Sequence, residues 1–172
     1  DKRSAYPKAR VVALAECGTH AVVAAEVDSS TVAEKTLADR LYPRLRGEEL
    51  LTADRNFYGF DAWGLAASSG AALLWRAPTQ LRLPVVEILA DGTYLSVLID
   101  PGLRGARRDR IIAAAQTGDP LDPDQAHLVR VVEYDVPDRA GDGTGELIVL
   151  LSTITDPAHA RADDLAAAYH PR

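Results

Sequence analysis

The stretch LLTADRNF, residues 50–57, sets the expected fold class. Its short apolar run ends in a carboxylate, Asp54, followed by an arginine. The amphipathic segment Val32–Leu45 precedes it, and a second one, Phe60–Ser69, leads into the apolar run Ala71–Trp75. This order predicts helix, strand, helix, strand, with Asp54 at the carboxyl end of a buried strand. Ligands of open α/β sheets bind at that edge, where a carboxylate can hold a metal ion.

The Asp54 carboxylate has a second interpretation. An aspartate between a strand and a helix is often an N-cap, because its side chain accepts hydrogen bonds from backbone N–H groups that lack a partner. The residues alone leave both interpretations open.

Length and composition bound the remaining expectations. A chain of 172 residues suits one domain, or one domain that carries an insertion. No apolar run approaches the roughly 20 residues needed to span a bilayer, so no membrane partner is expected. The net charge of −6 disfavours nucleic-acid binding, but the basic residues cluster. Four arginines crowd one stretch and could contact phosphates or form a solvated loop: Arg104, Arg107, Arg108 and Arg110.

Two residues near the start of the chain invite functional interpretations. Cys17 lies in an apolar run, so we expect a small buried residue, with a catalytic thiol as the alternative. His20 lies at the tip of a predicted hairpin, where solvation is expected and metal binding is the alternative. The chain contains no methionine and stops within a helical pattern, so we expect a fragment of a longer protein.

The rest of the chain predicts a hairpin, Val11–Cys17 with Ala21–Val27, and a capping box from Thr31 to Glu34. Ile111–Gln116 predicts a short strand or one helical turn, and Asp156 is expected to open a final helix. Beyond residue 80 the apolar runs are short and rich in β-branched residues, which predicts antiparallel strands at Val85–Leu89, Thr93–Leu98, Val129–Asp135 and Glu146–Thr153.

Three features together resemble the DDE transposases of bacterial insertion sequences, of the IS-four-like group. They are the phrase TADRNF at residues 52–57, the β-rich segment, and the Tyr169-His170-Pro171-Arg172 ending. The resemblance implies an α/β, RNase H-like mixed sheet with helices, interrupted by an antiparallel β-rich insertion. Residues 1–80 would be part of the core, 81–155 the insertion, and 156–172 the start of the final catalytic helix. The first core strand would lie upstream of Asp1, and the end of the last helix would lie beyond Arg172.

The resemblance also implies a chemistry. Asp54 would be the second catalytic carboxylate and a metal ligand, and Tyr169 and Arg172 would contact DNA near the transposon end. Mg²⁺ or Mn²⁺ bound in the full-length protein would support strand cleavage and strand transfer. The partners would be double-stranded DNA and a second copy in a synaptic homodimer, in the cytoplasm at the bacterial nucleoid. This chain alone would lack two of three carboxylates and be inactive.

Several alternatives stay open. The chain could be a non-catalytic DNA-binding or structural remnant of a decayed transposase, or an unrelated α/β enzyme that binds a small phosphorylated ligand. Tyr169 could pack in the core, and Arg172 could be a solvated helix end. Related enzymes stack a flipped base on an aromatic residue of the insertion, often tryptophan. Here Trp63 and Trp75 precede the insertion, so a DNA hairpin intermediate is unsupported.

Overall fold

The computed structural model of the chain describes residues 6–136 and 145–169. Two 3₁₀ turns, Tyr42–Arg44 and Arg55–Phe57, accompany the regular elements. Within the described ranges, no helix is long and apolar enough to cross a bilayer. In chain order the elements are β1 (Ala9–Ala15), β2 (Val22–Ser29), α1 (Glu34–Leu41), β3 (Leu50–Ala53), α2 (Phe60–Ala67), β4 (Ala72–Arg76), β5 (Val85–Ile88), β6 (Tyr94–Ile99), α3 (Ala106–Thr117), β7 (Ala126–Val136), β8 (Glu146–Ser152) and α4 (Ala162–Tyr169).

A mixed sheet of six strands forms the centre of the molecule, which confirms the predicted α/β class. The strand order is β3-β4-β8-β7-β6-β5. Strands β3 and β4 are parallel, and each of the other neighbouring pairs is antiparallel. Residues 81–155, expected as an insertion, supply β5 to β8, and these four strands continue the sheet of β3 and β4.

Side chains alternate between the two faces along each strand, so both faces of this sheet carry apolar side chains. Helices cover both faces. On one face Trp75 and Leu151 pack with Trp63 of α2. The Trp63 and Trp75 rings meet edge to face with centroids 5.3 Å apart, and both side chains are buried. On the other face Leu150 packs with Leu165 of α4, and a separate cluster joins β6 to α3.

The hairpin of β1 and β2 forms a second, two-stranded sheet. Helix α1 packs against both strands, whereas the opposite face of the hairpin is open. Val11, Val23 and Val27 on that face are 59%, 63% and 61% exposed. Among the described residues, the hairpin is therefore covered on one face only.

Cys17 is exposed, so the expectation of a buried residue is wrong. Strand β1 ends at Ala15, and the chain turns through Glu16 to His20. The Glu16 carboxylate accepts hydrogen bonds from the backbone N–H groups of Gly18, at 2.9 Å, and Thr19, at 2.6 Å. Cys17 thus lies in the turn and not in the strand. His20 is exposed at the same turn, with a φ of 58°.

The sequence predicts a buried strand before Asp54. Strand β3 is instead only half-buried and lies at the edge of the sheet. Among the described residues it pairs with β4 alone, which makes it an edge strand of the six-stranded sheet. Leu50 is 40% exposed, and Leu51, Thr52 and Ala53 are half-buried. An apolar run predicts that its side chains are buried, but it does not predict whether the strand has one neighbouring strand or two.

Three local expectations about helices are also corrected. Helix α3 spans 12 residues, twice the length of the apolar run Ile111–Gln116. Ala33 and not Thr31 is the N-cap of α1, and no side chain caps it, so the capping box is absent. Helix α4 begins at Ala162, whereas Asp156 accepts a hydrogen bond of 2.8 Å from the Ala158 N–H in the preceding turn.

Candidate functional site

Asp54 lies directly after β3, at the start of the 3₁₀ turn Arg55–Phe57. Its backbone carbonyl accepts a hydrogen bond of 2.9 Å from the Phe57 N–H, and its side chain makes no capping bond. The carboxylate is exposed. The capping interpretation is therefore wrong, and within the described ranges no hydrogen bond or ion pair occupies this side chain.

The parallel pairing of β3 and β4 places Asp54 and Arg76 at the same edge of the sheet. Ala53 pairs with Trp75, so the residues that follow them, Asp54 and Arg76, lie at the same level of the sheet. Arg76 ends β4, and its side chain is only 16% exposed. Arg76 and Asp54 therefore lie at the same edge of the sheet.

Glu146, the first residue of β8, joins two arginines at this edge. Its Oε1 accepts a hydrogen bond from the Arg76 guanidinium and lies 3.9 Å from Nη1 of Arg55. Strand β8 runs antiparallel to β4, which brings its start to the end of β4. The Glu146 carboxylate is thus engaged by cations. Within residues 6–136 and 145–169, no group of three or more His, Cys, Asp or Glu side chains is arranged to hold a metal ion.

Tyr169, the last described residue, lies near the same edge. Its ring is half-buried and packs against the cluster that contains Leu150 and Leu165. Burial raises the pKa of the Tyr169 hydroxyl to about 12, and the negative charge of Asp54 also raises it. The hydroxyl is therefore protonated at neutral pH and lies within the field of Asp54. This geometry supports core packing of the ring, and contact with DNA stays a prediction.

The other predicted DNA-binding residues are not brought to this edge. Arg107, Arg108 and Arg110 belong to α3, which packs on β5 and β6, and Arg104 lies just before that helix. Strand β6 is four positions from β3, roughly 19 Å at about 4.8 Å for each strand spacing. Among the described residues, no carboxylate forms an ion pair with these arginines. Arg172 lies outside the described residues.

A separate cleft opens at the opposite end of the strands, beside the start of β7 and the end of β8. Its volume is about 430 Å³, and its walls are mostly apolar, with Asp119, His127 and Thr153 as polar side chains. His127 stacks on Phe60 with ring centroids 4.9 Å apart, and burial lowers the pKa of its imidazole. Neither Asp54 nor the two arginines beside it line this cleft.

Sequence reasoning missed two residues of the Asp54 edge. Arg55 follows Asp54 directly in the quoted stretch, so adjacency could have identified it. Glu146 lies 92 positions further along the chain than Asp54, and only the pairing of β4 with β8 brings it to the site. No local sequence signal reports that pairing.

No protein-family model matches the chain, and no curated protein matches it at a significant level of similarity. The residues and their geometry therefore carry the functional argument.

Proposed function

We propose that the chain is part of the catalytic domain of a DNA transposase, in which Asp54 acts in metal-dependent strand cleavage and strand transfer. One observation carries the proposal. The Asp54 carboxylate is exposed, makes no capping hydrogen bond and forms no ion pair with any described residue. It lies at the carboxyl edge of the parallel strands β3 and β4, where α/β sheets bind ligands. The resemblance of residues 52–57 to transposases supplies the reaction class.

The chemistry proposed for this edge is phosphoryl transfer. Bound Mg²⁺ or Mn²⁺ would activate the attacking oxygen and stabilise the leaving oxygen. Asp54 fits as one hard oxygen ligand for such an ion. The described residues form no group of three or more His, Cys, Asp or Glu side chains that could hold an ion, so the proposal takes the other ligands from the longer protein. An RNase H-like core would place one of them on a strand that pairs with the open side of β3.

The proposed substrate is double-stranded DNA. Tyr169 lies at the same edge as Asp54, which supports a role near the cleaved strand. The arginines of α3 lie on the far side of the sheet, so they would contact DNA away from the reacting phosphate. A synaptic homodimer and a location at the bacterial nucleoid complete the proposal.

The test is strand transfer by the full-length protein, whose reading frame is obtained by sequencing the DNA on both sides of this segment. Asp54→Asn removes the charge and keeps the shape, and we expect at least a thousandfold loss of activity, as for a group that acts at the transition state. Asp124→Asn is the matched control, because Asp124 is exposed in a distant turn. Full strand transfer by Asp54→Asn would contradict the proposal.

A non-catalytic DNA-binding remnant is the second candidate. It is favoured because the described residues hold no group of three or more His, Cys, Asp or Glu side chains suited to a metal ion, whereas two-metal catalysis needs several carboxylates. A frameshift or stop codon beside this segment, with DNA binding that survives Asp54→Asn, would establish it. A continuous frame that contains an upstream aspartate and a downstream glutamate, as the two carboxylates that the resemblance places outside this chain, would exclude it.

A further inference from the structure

Two guanidinium groups converge at the edge that carries Asp54. Arg55 lies just after β3 and Arg76 is the last residue of β4, and because these strands are parallel both arginines lie at the same end of them. The same oxygen of Glu146 faces both of them. The side chains are 44% exposed for Arg55, 16% for Arg76 and 58% for Glu146. The arginine on β4 is thus held in place, while the carboxylate is mostly in solvent.

The charges of this group do not balance. Two cations face one carboxylate, and no other described carboxylate lies within 4.0 Å of either guanidinium. Asp54 is adjacent in sequence but forms no ion pair with them. Among Arg55, Arg76 and Glu146 the net charge is therefore +1, and the Asp54 carboxylate at the same edge pairs with neither guanidinium.

The carboxylate is easily displaced. An ion pair whose carboxylate is as exposed as that of Glu146 contributes little free energy, because water screens the charges. A phosphate group offers more acceptor oxygens than a carboxylate and matches the planar fork of donors on a guanidinium. A phosphodiester placed between the two arginines would bond both of them at once.

We infer that Arg55 and Arg76 form a subsite for a backbone phosphate of the DNA strand, and that Glu146 occupies this subsite as an intramolecular substitute for the phosphate. The inference rests on the proposed function and extends it. The phosphate bound here would lie beside the one on which Asp54 acts. Glu146 lowers the affinity of the free protein for anions, and DNA displaces it on binding.

The variant Glu146→Gln tests the competition. It removes the charge and keeps the length of the side chain, and its exposure makes a loss of folding unexpected. Binding of a fluorescein-labelled DNA duplex to the 172-residue chain is followed by anisotropy in EDTA. We expect the dissociation constant to fall about threefold to fivefold, the upper end of what an exposed ion pair contributes. The salt dependence should steepen by about 0.9 for one further phosphate contact.

Two controls separate the subsite from a general change in charge. Glu87→Gln makes the same change in net charge on β5, at the far side of the sheet. It should leave the affinity within about 1.5-fold, since long-range charge effects are screened by salt. Adding Arg76→Gln to Glu146→Gln should abolish the gain. An equal gain in Glu87→Gln, or a gain that survives loss of Arg76, would overturn the inference.

Inorganic phosphate separates this inference from the proposed function. Phosphate should shift the Nε–H NMR signals of Arg55 and Arg76 in Glu146→Gln more than in the original chain. Such shifts without any gain in DNA affinity would support the anion subsite and contradict its use for DNA. The absence of both would overturn the subsite. The role of Asp54 is decided separately, by strand transfer.

Discussion

Arg130 is a fully buried arginine in the middle of β7. Its guanidinium pairs with Asp91, donates a hydrogen bond of 2.9 Å to the Thr93 hydroxyl, and donates another of 2.6 Å to the Ala160 carbonyl. These contacts join the β5–β6 turn to β7 and to the approach to α4. A buried cation without a counter-ion is costly, so the structure depends on Asp91 more than its position in a turn suggests.

We predict that Asp91→Asn lowers the free energy of unfolding by about 3 kcal/mol, the lower end of the cost of breaking a buried ion pair. The lower end applies because Asp91 is still 26% exposed and the guanidinium keeps its bonds to Thr93 and Ala160. Asparagine preserves the turn, so the loss of stability measures the removal of the negative charge. Urea denaturation followed by circular dichroism measures it, with Asp124→Asn as the control. Equal stabilities of the two variants would contradict the prediction.

The same pair predicts a dependence on pH. Burial alone would raise the pKa of Asp91, but hydrogen bonds from Thr93 and the charge of Arg130 outweigh it and hold the pKa below the ordinary 3.8. A lowered folded-state pKa stabilises the fold above the unfolded-state value, and this contribution is lost as pH falls through the folded-state value. The difference in unfolding free energy between the original chain and Asp91→Asn should therefore shrink below about pH 4. A constant difference down to about pH 2 would refute this.

At the scale of elements, helix α3 shows what an apolar pattern misses. The apolar run Ile111–Gln116 marks only half of the helix, because Ala106–Arg110 is rich in residues that favour helices without being apolar. Its end has a clear cause. Gly118 adopts a left-handed conformation with φ 76°, and the Asp119 N–H bonds the Ala114 carbonyl at 2.9 Å.

We predict that Gly118→Ala lowers the free energy of unfolding by about 1 kcal/mol, the cost of placing a side chain in the left-handed region. Apart from Gly118 and its two chain neighbours, no heavy atom lies within 4 Å of the position that a Cβ would take, so the loss of stability measures the backbone strain. Gly118→Asn is the matched variant and should lose less, because asparagine tolerates this conformation. Urea denaturation compares the three proteins, and equal stability of the alanine and asparagine variants would contradict the argument.

The order of helices and strands could be predicted because it depends on local signals. Helix α1 ends at Leu41, before the 3₁₀ turn that contains Pro43, and a proline is a local signal for the end of a helix. The edge position of β3 and the ion pair of Glu146 could not be predicted, because each depends on which distant strands pair. At the candidate site, the end of the strand at Asp54 could be predicted from the neighbouring residues. The positions of the charged side chains around it could not, because they depend on strand pairing.

At the scale of the whole molecule, the six-stranded sheet and the hairpin differ in how they are supported. Strands β4, β8 and β7 have neighbours on both sides and helices on both faces, and Leu73, Val131 and Leu151 are 0% exposed. The hairpin has two strands and one covered face. Regions with few buried apolar contacts open locally at lower free energy than the core.

We predict that backbone amides of β1 and β2 exchange with solvent roughly a hundredfold faster than those of β7 and β8, because an opening free energy lower by about 3 kcal/mol suffices for this. Hydrogen–deuterium exchange with mass spectrometry measures both segments in one experiment. Val12 on the inner face packs against the main core, whereas Val27 on the outer face is 61% exposed. Val12→Ala should therefore speed exchange of the hairpin and leave β7 and β8 unchanged, and Val27→Ala should have a smaller effect. Equal protection of hairpin and sheet would instead mean that they unfold as one cooperative unit, and that the contact of α1 and Val12 with the core is strong enough to couple them.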